Sequence, residues 1–168
     1  TYIKHSTAQK SKAYDMYSRF FRWASDRLAH KGIISFITNN SFIDALTFDG
    51  LRKVVADEFD EIYVVDLGGN LRKREGGNVF GIQVGVAISF MIRTSQKSDR
   101  CRIYYSKLKH SARSEKLNFL ATTKIDDIQF KHIKPDDNHN WINLVQNDWS
   151  DLIPIATKES KLATSAVE

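Results

Sequence analysis

The sequence predicts an α/β fold, because segments with helical periodicity alternate with short apolar runs typical of strands. Over residues 12–30 the apolar residues recur at helical spacing, and Gly32 is placed to end that helix. The apolar run 33–38 follows directly and ends in Asn39, Asn40 and Ser41. An unbroken run of this length predicts a strand buried on both faces, as in a parallel sheet covered by helices.

The next segments continue this alternation. Residues 49–59 have the spacing of an amphipathic helix, and residues 62–66 (IYVVD) form a second apolar run before Gly68 and Gly69. Residues 84–92 alternate large side chains with small ones, which is typical of a strand with one close-packed face. The helix at 12–30 has an inner stripe that Phe20 and Trp23 are expected to widen.

The alternation becomes weaker in the second half of the chain. Residues 101–105 predict a further strand at the edge of the sheet, residues 113–121 a helix, and residues 128–133 a weakly extended segment. The charge balance also changes between residues 93 and 114. A boundary is therefore expected near residue 100, which divides the chain into residues 1–100 and 101–168.

Composition and charge narrow the class of protein. The 168 residues are 42% hydrophobic and 27% charged, which is typical of a globular domain, and no apolar stretch is long enough to span a bilayer. The single cysteine, Cys101, excludes an internal disulfide and suits a reducing cytoplasm. Residues 1–110 carry 18 Lys and Arg against 11 Asp and Glu, a balance compatible with a nucleic-acid partner.

Several common catalytic motifs are absent from the sequence. The glycine-rich stretch 68–85 leads into a strand, so it offers no helix N-terminus to a phosphate. There is no GxxxxGK[ST] motif, which excludes nucleotide hydrolysis by a P-loop in this chain. The five histidines lack metal-ligand spacing with Cys101, so no metal site is predicted.

An ordered series of short blocks remains, and it carries a family resemblance. The blocks are Asp15-Met16-Tyr17 with Phe20-Phe21, the strand IISFIT, Asn39-Asn40-Ser41-Phe42, the strand IYVVDLGG, and Asn78-Val79-Phe80 before VGVAISFMI. Over residues 12–93 this series resembles the later conserved blocks of gamma-class DNA adenine-N6 methyltransferases. Each block is weak alone, and their order and spacing make the resemblance more specific.

The resemblance implies a fold and a division of the chain. Residues 1–100 would form the C-terminal half of a Rossmann-like methyltransferase sheet, with the strands at 62–66 and 84–92 paired as an antiparallel hairpin. The segment 132–161 looks like the connection to the target-recognition region in large single-chain restriction–modification enzymes, which combine a helicase-like motor with an adenine methylase. Residues 101–168 would therefore form this connection.

The same resemblance shows which parts of the family's machinery this sequence lacks. The glycine-rich loop that binds S-adenosylmethionine and the Asn/Asp-Pro-Pro-Tyr tetrapeptide lie upstream of these blocks in the family, and neither occurs here. The chain begins where that tetrapeptide would have just ended. We therefore expect no catalytic residue within this chain, no methylation by it alone, and S-adenosylmethionine held mainly by upstream residues.

Three groups of residues are candidates for the site. Phe80 matches the family's aromatic residue that stacks on the flipped-out adenine, with a core residue as the alternative. Asn39 and Asn40 could line the adenine pocket or meet a phosphate, with a local turn or helix cap as the alternative. The basic loop of Arg72, Lys73 and Arg74 is a candidate for contact with DNA phosphate, with a solvated loop as the alternative.

The resemblance implies that the parent protein transfers a methyl group from S-adenosylmethionine to the N6 amine of a flipped-out adenine in DNA. The alternative is a non-catalytic α/β module that binds DNA or a partner protein. In either case half a sheet exposes a strand edge, and exposed edges tend to pair. We therefore expect the isolated chain to self-associate.

Overall fold

Helices and strands alternate through the first half of the chain, which confirms the α/β class. The structure is a computed structural model, and it describes residues 2–6, 15–96, 98–108, 111–142 and 144. The helices are α1 (Met16–Arg27), α2 (Ser41–Asp44), α3 (Asp49–Glu58) and α4 (Arg113–Thr122). The strands are β1 (Gly32–Asn39), β2 (Glu61–Gly68), β3 (Val86–Arg93), β4 (Arg102–Lys107) and β5 (Lys131–Ile133). No helix in these ranges is long and apolar enough to cross a membrane.

The strands form one mixed sheet in the order β1-β3-β2-β4-β5. Strand β3 lies between β1 and β2 and is antiparallel to both, so the predicted pairing of 62–66 with 84–92 is confirmed. Strand β4 runs parallel to β2 and antiparallel to β5. As a result, β1, β2 and β4 all end at one edge of the sheet, where β3 begins. We call this the carboxyl edge.

The main core lies between one face of the sheet and helices α1 and α3. The sheet contributes alternate residues to it, because successive side chains of a strand point to opposite faces. Buried side chains of the sheet in this core are Ile34, Ile62, Val64, Met91 and Ile103. The amphipathic spacing predicted over 49–59 is confirmed, since Leu51, Val54 and Val55 of α3 and Phe59 directly after it are all buried.

Helix α1 presents a narrower apolar face to this core than the sequence suggested. Phe21 is fully buried and packs edge-on against Phe36 of β1. Phe20 and Trp23 are exposed, so the expectation that they widen the buried stripe is wrong. The reason is geometric: α1 packs on the sheet along a single side, and both residues lie outside that side.

Strand β1 is not buried on both faces, and this prediction is also wrong. It stands at the end of the strand order and pairs only with β3 within the described part of the chain. Ile33 and Ile37, on the face opposite Phe36, are 63% and 56% exposed. An unbroken apolar run therefore marks here an edge strand with one open face, a distinction that periodicity alone cannot make.

A second apolar cluster covers part of the opposite face. Its buried members are Val65, Leu67, Val79 and Val86, and Phe119 of α4 and Phe130 pack against them. Strand β4 is an inner strand of the sheet, because β5 pairs with its outer side, so the expectation of an edge position for it is wrong. Residues 102–133 thus contribute two strands to the sheet that the first half of the chain builds.

Arg52 links residues 139–140 to the core through hydrogen bonds. Its guanidinium is fully buried and donates hydrogen bonds to the carbonyl oxygens of Phe42 (3.0 Å), Ala45 (2.9 Å) and His139 (2.7 Å) and to the Asn140 amide oxygen (3.1 Å). Because burial is the largest influence on it, the pKa of Arg52 is lowered. The domain boundary near residue 100 stays a prediction, and residues 145–161 of the predicted connection lie outside the described residues.

The open edge of β1 leads to the first prediction. An unpaired strand edge is a template for another strand, so we expect the isolated chain to associate in a concentration-dependent way. Ile37→Lys places a charge in the middle of this edge strand and should shift sedimentation equilibrium toward the monomer. Leu46→Lys, at an exposed position away from the sheet, is the matched control. A monomer at all concentrations for the unmodified chain would contradict this prediction.

Candidate functional site

Polar side chains gather at the carboxyl edge, where three strands end together. Asn40 follows β1, Asp66 lies near the end of β2, and Tyr105 and Lys107 lie near the end of β4. The topology brings them together because β1, β2 and β4 share one direction. In open α/β sheets this edge is where ligands bind.

Asp66 is the centre of this cluster. One of its carboxylate oxygens accepts hydrogen bonds from the Asn40 amide (2.9 Å) and from the backbone N–H of Gly68 (2.9 Å). The other oxygen accepts the Tyr105 hydroxyl (2.9 Å) and lies 3.8 Å from the Lys107 ammonium. With 3% of its surface exposed, Asp66 is a buried carboxylate that accepts three hydrogen bonds and has one ammonium group nearby. It fixes the segment after β1 relative to β2 and β4.

Tyr105 acts as a donor in this cluster. Burial is the largest cause that raises the pKa of its hydroxyl, and the nearby charge of Asp66 and the hydrogen bond to it raise the pKa further. The hydroxyl therefore keeps its proton at neutral pH and continues to donate to Asp66.

Glu75 holds the loop after β2 against β4. Its carboxylate accepts a hydrogen bond from the Lys107 ammonium at 2.9 Å, and its other oxygen accepts the backbone N–H of Asn70 at 3.4 Å. Burial favours the neutral acid and would raise the pKa of Glu75. The hydrogen bond and the charge of Lys107 outweigh it, so the pKa lies below its ordinary 4.5.

Of the two candidate amides, Asn40 joins the cluster and Asn39 makes a local turn. Asn40 donates its backbone N–H to the Gly85 carbonyl at 3.0 Å, and its side chain lies against Gly85. A Cβ at position 85 would stand 2.5 Å from both ends of that amide, so a larger residue there would displace the Asn40 side chain. The Asn39 side-chain oxygen accepts the N–H (2.8 Å) and the hydroxyl (2.7 Å) of Ser41.

Asn78 organises the loop that leads into β3. Its buried amide nitrogen donates to the carbonyls of Gly69 (3.2 Å) and Val84 (2.7 Å). Its amide oxygen accepts the N–H groups of Phe80 (2.8 Å) and Ile82 (3.3 Å). Gly69 has φ +83°, and a Cβ there would come within 2.8 Å of the Asn78 Cα. One side chain therefore fixes both ends of this loop.

Phe80 extends from this loop into solvent. Its side chain is 54% exposed, so it does not pack in the core of the described chain. Its backbone is held by the Asn78 amide, which leaves the ring accessible and its attachment fixed. An exposed aromatic ring on a fixed loop offers a flat apolar face to a ligand.

Among the described residues, one cation of the basic loop forms an ion pair and the other two do not. Lys73 forms an ion pair with Asp44 at 2.8 Å, and this hydrogen bond raises the pKa of Lys73. Arg72 and Arg74 are exposed, and neither makes an ion pair with a residue that the structure describes. The Asn70 side chain accepts the backbone N–H groups of Arg72 (3.0 Å) and Lys73 (3.3 Å) and so shapes this loop.

The sequence patterns did not identify the roles of Asp66, Tyr105, Lys107, Glu75 or Asn78. A charged residue that ends an apolar strand was the available signal for Asp66. The partners on β4 could not be identified from the sequence, because their proximity depends on the parallel pairing of β4 with β2.

Among the described residues, neither a metal-binding cluster nor a phosphate-binding loop is present. Among them, no group of three or more His, Cys, Asp or Glu side chains is arranged to hold a metal ion. The loop that holds Gly68 and Gly69 contains one 3-10 turn (Leu71–Lys73) and continues into β3, not into an α-helix. It therefore lacks the helix N-terminus that binds anionic groups in nucleotide-binding loops.

Comparison with solved structures shows which proteins this arrangement is similar to. The chain is 50% identical to DrdV in the cryo-electron microscopy structure of the DrdV–DNA complex, with a TM-score of 0.86 over 98% of this chain. It is 34% identical to the Type ISP restriction–modification enzyme LlaGI, as a nuclease-deletion mutant in complex with a DNA substrate mimic, with a TM-score of 0.86 over 94% of this chain.

The ATP-dependent Type ISP restriction–modification enzyme LlaBIII, bound to DNA, is 36% identical, with a TM-score of 0.85 over 94% of this chain. The chain spans only 17% of DrdV, 16% of LlaGI and 11% of LlaBIII. It is therefore similar to one segment of each of these large proteins. No protein-family model and no curated protein matches the chain.

The cluster around Asp66 leads to a prediction for stability. Asp66→Ala leaves the buried N–H of Gly68 and the partly buried donors of Asn40 and Tyr105 without their acceptor, which should lower the free energy of unfolding by about 3–5 kcal/mol. Asp57→Ala is the matched control, since its exposed ion pair with Lys53 is worth about 0.5 kcal/mol. Urea denaturation measures both. Equal losses in the two variants would contradict the central role of Asp66.

Glu75 leads to a prediction for pH dependence. Because its pKa is lowered on folding, its ionised form stabilises the protein at pH values above its ordinary 4.5. This contribution is lost as the pH falls through the lower value in the folded state. The difference in free energy of unfolding between the unmodified chain and Glu75→Gln should therefore be constant near pH 7 and shrink below pH 4.5. A difference that stays constant down to pH 3 would show that Glu75 is not stabilised as the carboxylate.

Proposed function

We infer that this chain is a segment of a DNA adenine-N6 methyltransferase within a restriction–modification enzyme. In this proposal it contributes one wall of the pocket for a flipped-out adenine and part of the DNA-binding surface. The observation that carries the proposal is Phe80, an exposed aromatic ring fixed by Asn78 beside the carboxyl edge. The methyltransferase class rests on the resemblance of residues 12–93 to that family.

The comparisons support the restriction–modification part and DNA as the partner. The three similar proteins were solved with DNA or a DNA mimic, and LlaGI and LlaBIII are restriction–modification enzymes. The identities of 34–50% extend over nearly all of this chain. The short share of each relative that the chain spans makes the activity of a whole enzyme a proposal for this protein.

The proposed role of Phe80 follows from the energetics of base flipping. An extruded base loses its stacking in the duplex, and an aromatic face in the pocket restores part of that energy. Phe80 has about half of its surface free for such a contact. Asn40, held by Asp66 and Gly85, stands at the carboxyl edge as the candidate polar group of the pocket. Asn39 is a weaker candidate, because Ser41 occupies its side-chain oxygen.

The basic loop suits contact with the DNA backbone. Arg72 and Arg74 keep their charges free of ion pairs with described residues, so both are available to phosphate. Lys73 is paired with Asp44 and would contribute less. Phosphate contacts of this kind orient a protein on the duplex and carry no sequence information by themselves.

In this proposal S-adenosylmethionine is held by other residues of the parent enzyme, which the family resemblance places upstream of these blocks. The same residues of the parent would supply the catalytic tetrapeptide. The competing function is a non-catalytic module that binds DNA or a partner protein. The two functions differ in whether the complete gene product modifies adenine.

The experiment expresses the complete polypeptide encoded by the gene in a host that lacks adenine methylation. Single-molecule sequencing of the host DNA then maps N6-methyladenine. The proposal predicts methylation at one recurring sequence, and it predicts an Asn/Asp-Pro-Pro-Tyr motif upstream of the present residues in the complete polypeptide. DNA without N6-methyladenine, from a folded and complete gene product, would overturn the proposal in favour of the binding module.

Phe80 provides a residue-level prediction. Phe80→Ala in the complete enzyme should lower kcat/KM for DNA methylation by roughly 5- to 100-fold, since stacking on a base is worth about 1–3 kcal/mol. Phe80→Trp should retain most of the activity. The matched control is Phe20→Ala, whose ring on α1 is equally exposed at 53% and lies away from the carboxyl edge. Equal rates for Phe80→Ala and Phe20→Ala would contradict the stacking role.

A further inference from the structure

Three aliphatic side chains beside Phe80 are exposed to solvent. Leu71, Ile82 and Val84, which we call the aliphatic cap, have exposed fractions of 54%, 44% and 42%. They belong to the same loop region as Phe80. A cluster of exposed aliphatic side chains loses the free energy of burial unless a partner covers it, so such a patch indicates a binding surface.

The backbone of the aliphatic cap is fixed before any partner binds. The N–H of Leu71 donates to the Gln83 carbonyl at 3.1 Å, which joins the two ends of the region. The Asn78 amide binds the Ile82 N–H and the Val84 carbonyl, and it also binds the Phe80 N–H. One buried side chain therefore sets the position of the cap relative to Phe80. A surface fixed in this way loses little conformational freedom on binding.

The charges around the aliphatic cap favour a polyanionic partner. Arg72 directly follows Leu71 and Arg74 lies two residues further on, and neither is paired with another side chain among the described residues. The nearby carboxylates are already neutralised, since Glu75 is paired with Lys107 and Asp44 with Lys73. Free cations next to an apolar patch fit a partner that combines phosphates with an accessible apolar interior. A DNA duplex opened at one base meets this description.

We propose that the aliphatic cap enters the DNA helix and fills the space that the flipped-out adenine leaves. This inference rests on the proposed function and assigns the loop two tasks: Phe80 contacts the extruded base, and Ile82 with its neighbours contacts the base pairs on either side of the gap. Removing a base from the stack exposes apolar faces of its neighbours. Aliphatic side chains inserted at such a step restore part of the lost contact.

The test uses the complete gene product and a duplex that contains its methylation sequence. The target adenine is intact, replaced by 2-aminopurine, or removed to leave an abasic site. The variants are Ile82→Ala and Phe80→Ala, with Ile125→Ala as the matched control because Ile125 is equally exposed at 46% and lies on another segment. Equilibrium affinity and 2-aminopurine fluorescence, which rises when the base leaves the stack, are measured for each.

The two tasks predict different responses to the abasic duplex. Ile82→Ala should weaken binding roughly tenfold on both the intact and the abasic duplex, because the gap is present in both. Phe80→Ala should weaken binding on the intact duplex alone, because the abasic duplex has no base for it to contact. Ile82→Ala should also lower the 2-aminopurine fluorescence, whereas Ile125→Ala should match the unmodified enzyme in every measurement.

Two results would overturn the inference. If Ile82→Ala binds both duplexes as tightly as the unmodified enzyme, the cap does not enter DNA. If Ile82→Ala weakens binding to the intact duplex and not to the abasic duplex, Ile82 contacts the flipped base and not the gap. Failure of the proposed function is a separate outcome, since an enzyme that flips no base gives no 2-aminopurine signal before any substitution is made.

Discussion

The buried carboxylate of Asp66 is the constraint on which the arrangement of the carboxyl edge depends. It receives hydrogen bonds from the segment after β1, from the backbone after β2 and from Tyr105 of β4. A buried charge is tolerated only when donors surround it, so these three elements must stay together for the sheet to fold. The same requirement places Asn40 against Gly85 at the start of β3.

Buried and exposed groups have separate tasks at this edge. Asp66, Asn78 and Glu75 are buried, and each forms hydrogen bonds to protein groups around it. Phe80 and the aliphatic cap are held by these buried groups and carry their side chains outward. Binding surfaces built on a rigid inner layer need little reorganisation, which suits the recognition of a base that is costly to extrude.

The sequence was sufficient for the elements and for their order, because long amphipathic helices such as α3 and apolar runs such as β2 have distinct periodicities. The sequence was not sufficient to predict which faces of the strands are buried. The run in β1 is as apolar as an inner strand, yet it lies at the sheet edge, since burial depends on neighbours that the local sequence does not specify. In the candidate site, Phe80 and the amides were predicted from the ordered blocks. The partners of Asp66 could not, because Tyr105 and Lys107 come close only through the parallel pairing of β4.

The central claim is that the loop fixed by Asn78 presents Phe80 to a base taken out of the DNA helix. The most direct measurement replaces the target adenine with 5-iodouracil in the duplex bound by the complete gene product, irradiates the complex and maps the crosslinked peptide by mass spectrometry. The account predicts a crosslink at Phe80 that disappears in Phe80→Ala while DNA binding persists. A crosslink confined to residues away from the 78–84 loop would contradict it.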